Sequence, residues 1–94
     1  MIRAVVEQHA EEAAFLFTLR SAAAVAPHVG LEDLARIDAR IEANLDGLEI
    51  AGEAGQKLVL RALPRGDAGD VFTAAVLACR SRQPERLTRV LAVA

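Results

Sequence analysis

An all-α domain is the fold class this sequence predicts, on three observations. Apolar residues recur at helical spacing along most of the 94 residues. β-branched residues are scattered and never alternate over the length of a strand. The hydrophobic share is 53%, above the usual range for a soluble domain. Much of that excess is alanine, the residue that costs a close-packed helix least. A chain of this length can form one domain with a small core.

The first helix is expected over about Ile2 to Val25. Val5, His9, Ala13, Leu16 and Ala23 follow one helical stripe, and Val6, Ala10, Ala14 and Phe17 an adjacent one. Together they form a wide apolar face, suited to a helix with more than one packing partner. Glu7, Gln8, Glu11 and Glu12 fall at its edge, where acids near a helix start complement the dipole. "APHVG" ends the helix, because Pro27 disfavours a helical residue before it.

The second helix has the clearest pattern. In "LEDLARIDARIEANLDGLEIA", Leu34, Ile37, Ile41, Leu45 and Leu48 share one face, and most charges lie elsewhere. Glu32 precedes Arg36 by four residues, the favourable order for an ion pair. Gly47 sits inside the pattern at a cost of about 1 kcal/mol against alanine, so a close helix crossing or a kink is expected there. Gly52 is the expected stop.

Shorter elements follow. A third helix is predicted over about Glu53 to Leu63, with Leu58, Val59, Ala62 and Leu63 inward, ended by Pro64 and Gly66. Asp67, with Asp70 three residues on, approximates a capping box. A fourth helix is predicted from Ala68 to Arg80, burying Val71, Phe72, Ala75, Leu77, Ala78 and Cys79. After a turn at "SRQ", Pro84 suits the first position of a fifth helix carrying Leu87, Val90 and Leu91. "GEAG" and "GDAG" mark two related helix starts. The chain thus divides into a long antiparallel hairpin, residues 1–52, and repeat-like short helices, residues 53–94. The second part has the grammar of helical-hairpin repeats, each unit needing a neighbour to cover its apolar face. "RVLAVA" ends without the polar cap of a closed solenoid. The expectation is therefore the N-terminal piece of a longer helical-repeat protein, or a last helix that packs on another copy.

Several function classes are disfavoured. Aromatics are only 3%, too few for a base- or sugar-stacking surface. A net charge of −2 and a pI of about 5.6 argue against nucleic acid. The most basic run, "RSRQPERLTR" at 80–89, reads as a solvated helix end. The single cysteine, Cys79, cannot form an internal disulfide, and it reads as a small core residue. A cytoplasmic setting fits that usage. Neither a signal peptide nor a membrane span is legible.

The candidate site lies in "VVEQHAEEAAFLF". His9 and Glu12 form H-x-x-E on one side of a helix. The second histidine, His28, has no acid at ligand spacing, and H-E-x-x-H is absent. His9 is therefore read as a half-buried histidine hydrogen-bonded to a neighbouring acid or carbonyl, with no metal, cofactor or catalytic residue expected. Only one of Phe15 and Phe17 can point fully inward. A partner-binding surface is placed on Glu11, Glu12, Phe17 and Arg20, with Arg20 also able to pair with an acid on the second helix.

"VVEQHAEEAAFLF", "APHVGLEDLARIDARIEANLDGLEIAGEAG" and "GDAGDVFTAAVLACRS", taken in order, resemble the N-terminal region of a family of bacterial HEAT-repeat proteins. Members of that family continue into further helical repeats, and some are encoded among components of type VI secretion systems. The resemblance implies a non-catalytic adaptor or scaffold whose partners are proteins of such an apparatus. It supplies no catalytic residue to carry over. The family tends to carry tryptophan near positions 17 and 57, where this chain has Phe17 and Lys57. The alternatives are a self-associating helical unit and, behind it, a metal or enzyme site at His9 and Glu12.

Overall fold

A computed structural model describes residues 2–93, of Val93 the backbone only. Among the described residues the fold is all-α. Its helices are α1 (Arg3–Ala23), α2 (Leu31–Ile50), α3 (Glu53–Ala62), α4 (Ala68–Ser81) and α5 (Pro84–Val93), with a 3-10 turn at Leu63–Arg65. The third helix therefore stops one residue earlier than its apolar pattern, tightening into the turn that contains Pro64.

The two long helices pack side by side and run antiparallel. His9 meets Asn44 and Glu12 meets Arg40, so rising numbers on α1 face falling numbers on α2. α4 is the hub, touching each of the other helices. This suits its sequence, whose small and apolar residues let neighbours approach on several sides. The core comprises Val6, Ala10 and Leu16 from α1, Ile41, Leu45 and Leu48 from α2, and Val59 from α3. Leu63, Ala74, Leu77, Ala78 and Val90 complete it.

Some expected faces are rotated. On α1 the buried line is Val6, Ala10, Ala13 and Leu16, which leaves Val5 exposed and His9 and Phe17 half-buried. On α4 the inward line is Asp70, Thr73, Ala74, Leu77 and Ala78. Cys79 lies one helical step past that line and is exposed, not a core residue. On α5, Val90 is buried and Leu91 exposed. The end of "RVLAVA", at the Val93 side chain and Ala94, lies outside the described residues.

Two expected polar contacts form differently. Arg36 pairs with Asp33 at 2.6 Å, three residues away, in preference to Glu32. Asp33 is already anchored, its carboxylate accepting the backbone N–H of Gly30 at the α2 start. Asp67 does stand at the N-cap of α4 with extended backbone, but its side chain makes no capping hydrogen bond. The box predicted with Asp70 is not formed.

Candidate partner-binding surface

His9 and Glu12 do not face one another as a pair. His9 Nδ1 lies 2.8 Å from Asn44 Oδ1, and Asn44 Nδ2 donates to the Arg40 carbonyl at 2.9 Å. With the amide nitrogen committed to that carbonyl, Oδ1 is the acceptor and His9 Nδ1 carries the proton. The imidazole also explains Gly47. A Cβ there would stand 2.6 Å from His9 Cδ2 and Nε2. The glycine gives the ring its space, and no kink is needed. Glu12 instead accepts a hydrogen bond from Arg40. Both residues of H-x-x-E thus hold α1 against α2.

Phe17 and Arg20 are also used inside the fold. The rings of Phe17 and Phe72 stack with centroids 4.3 Å apart and planes 12° apart, joining α1 to α4. Such a pair contributes about 0.5–1.5 kcal/mol beyond its burial. Arg20 Nε donates to Asp38 on α2 at 2.8 Å, as its position suggested. Of the four residues placed on the candidate surface, only Glu11 is exposed without an ion pair among the described residues.

The residue that faces outward is Phe15, 64% exposed. Leu19, one turn later on the same side, is 40% exposed, and Ala22 continues the stripe. Val25 and Leu31 are exposed beside the α1–α2 connection. The α1 sequence carries the signal for this face. Once Val6, Ala10, Ala13 and Leu16 are inside, positions 15, 19 and 22 fall on the opposite side of a 3.6-residue helix. Choosing between the two stripes required the neighbours.

Phe15 and Glu11 border a shallow depression formed with Arg65 and the start of α4. Beside it, a cleft of about 280 Å³ lies between α1 and the α3–α4 corner, with Glu7, Glu11, Arg61, Arg65 and Asp70 on its walls. Burial pushes the Asp70 carboxyl above its usual pKa, against the pull of the nearby Arg65 guanidinium. The Arg65–Asp70 contact is 3.5 Å. These groups make a polar corner able to exchange ion pairs with a partner. Among the described residues, no three or more His, Cys, Asp or Glu side chains are grouped to hold a metal ion. No described helix is long and apolar enough to cross a membrane.

The basic run at 80–89 is partly consumed by the fold. Arg80 bonds to Asp46 at 2.8 Å, to Glu49 at 3.3 Å and to Glu42. Arg86 pairs with Glu53 at 2.6 Å.

No protein-family model, curated protein or solved structure matches this chain.

Proposed function

We propose that this chain is a non-catalytic protein-interaction module, working in the cytoplasm as the head of a HEAT-like helical scaffold. Its mechanism is rigid presentation of one helix face to a protein partner. The observation that carries the reading is the stripe of Phe15 and Leu19, large apolar side chains held out from α1. Packing supports its rigidity, because the opposite side of α1 is pinned by His9–Asn44, Glu12–Arg40 and the Phe17–Phe72 stack. A contiguous apolar surface of this kind is a common mark of an interaction site. Glu11 supplies a charged rim. The secretion-apparatus setting rests on the resemblance of the sequence alone, and the solenoid on the related helix starts and short hairpin helices of residues 53–94.

The test is affinity capture from the source cell, read by mass spectrometry, using the wild-type chain and a Phe15→Asp/Leu19→Asp variant. Recovery of secretion-apparatus proteins by the wild type, and their loss with the variant at unchanged helicity, supports the reading. Identical captures with both baits overturn the assigned surface. Recovery of nothing but further copies of the chain overturns the adaptor role in favour of a structural, self-associating unit.

A further inference from the structure

Two faces of this molecule carry equal and opposite uncompensated charge. The first is a groove of about 230 Å³ between the start of α1 and the outer side of α3. Arg3, Lys57 and Arg61 line it above Val6, Ala54 and Leu58, with no carboxylate among the lining residues. Arg3 is paired with Glu7 at 2.9 Å. Lys57 and Arg61 are exposed and make no ion pair among the described residues, which leaves two cations uncompensated. The second face is the outer side of α2. Glu42, Asp46 and Glu49 are all exposed there, and all three share the single guanidinium of Arg80. Three carboxylates against one cation leave two negative charges over. Ile50, on the same side one turn after Asp46, is 77% exposed.

We propose that the groove of one molecule receives the outer face of α2 from a second copy of this chain. The spacings agree. Lys57 and Arg61 are one helical turn apart, and so are Glu42 and Asp46, so two ion pairs can form side by side between packed helices. Ile50 supplies an apolar side chain for the floor at Leu58 and Val6. Within one molecule the faces do not meet, since no ion pair joins Lys57 or Arg61 to Glu42, Asp46 or Glu49. The contact joins two different patches, so it is heterologous. Repetition gives a ring if the rotation closes and an open row of molecules if it does not. It uses neither Phe15 nor Leu19, so its failure leaves the apolar partner stripe untouched, although Arg61 also lines the polar cleft beside that stripe.

The experiment is sedimentation of the purified chain over a concentration series, at about 20 mM and about 500 mM salt, where screening differs severalfold in range. The average mass is expected to rise above 10.0 kDa with concentration at low salt and to fall back at high salt. Lys57→Glu/Arg61→Glu should weaken association by about tenfold or more. Glu42→Lys/Asp46→Lys should do the same, and an equimolar mixture of the two variants should associate again. The groove substitutions fall on side chains without ion-pair partners among the described residues. They keep the result readable should the α2 variant lose its hold on Arg80 and unfold. A monomeric mass under every condition overturns the proposal. So does association that persists in 500 mM salt or survives Lys57→Glu/Arg61→Glu.

Discussion

The turn at Gly52–Gln56 and the turn at Gly66–Asp70 repeat one sequence idea fourteen residues apart, as "GEAGQ" and "GDAGD". Each begins with a glycine at positive φ, +60° at Gly52 and +75° at Gly66. The second glycine of each presses on another helix's backbone. A Cβ on Gly55 would stand 2.4 Å from the Leu48 carbonyl oxygen, and one on Gly69 would stand 2.3 Å from that of Ala14. The difference follows immediately. Gln56, 1% exposed, has neither side-chain nitrogen nor oxygen hydrogen-bonded, whereas Asp70, 8% exposed, reaches Arg65. The caps differ too. Gly52 itself precedes α3, but α4 begins one residue later relative to its glycine, after Asp67. Similar turns can open two helices while the next polar residue meets quite different surroundings.

The largest effect should come from the second glycines. Gly55→Ala and Gly69→Ala each force a methyl group against a backbone oxygen that no rotamer change can clear. Each should cost about 2–4 kcal/mol in urea unfolding. Unequal losses would show that only one of the two approaches holds the fold. The first glycines come next. Gly52 has ψ −129°, a region almost closed to other residues, so Gly52→Ala should cost about 1–3 kcal/mol. Gly66, with ψ 8°, lies in the left-handed region, and Gly66→Ala should cost nearer 1 kcal/mol. Reversal of that order in thermal melts would break the parallel.

Gln56 is then the place where the first turn can be improved. Gln56→Met keeps length and removes both unpaired polar atoms. It should raise stability by about 1–2 kcal/mol, read as a shift of the urea midpoint at unchanged slope. A loss on that substitution would mean that the amide is hydrogen-bonded in solution.

The smallest effect is in pH dependence, and its sign separates two carboxylates at helix starts. Burial raises the Asp70 pKa, so the folded protein holds that proton more tightly than the unfolded chain. Its contribution grows as pH falls through the raised pKa and is lost as pH rises again. Asp33 has the opposite shift. The hydrogen bond from Arg36, then that from the Gly30 N–H, lower its pKa. Its contribution is present at neutral pH and is lost as pH falls through the lowered pKa. Unfolding midpoints from acid to neutral pH should show Asp70→Asn gaining on wild type toward neutrality. Asp33→Asn should fall behind over the same range.

Periodicity made most of this fold legible. The apolar face of α2 emerges with Ile41, Leu45 and Leu48 buried as spaced, and Gly52 and Gly66 mark the two breaks. The candidate site was legible only as a segment. Helical spacing puts Phe17 on an apolar stripe of α1 and Phe15 on neither, yet the expected partner surface includes Phe17; packing stacks Phe17 on Phe72 and leaves Phe15 as the outward ring. Arg20 was readable as a partner of an acid on the second helix because it follows the inward Leu16 by one turn. Cys79 misled because small apolar neighbours surround it in sequence while the helix turns it outward.

Helix positions, breaks and the paired glycine turns follow from the order of residues, because backbone preferences and the 3.6-residue period act over a few neighbours. Rotation of each helix, the partner of each charge and the room around each glycine come from packing. His9 needs Gly47 and Asn44 from a helix 35 residues and more away, and Phe17 turns inward because Phe72 waits there. Those contacts depend on distances between helices, which no local pattern encodes.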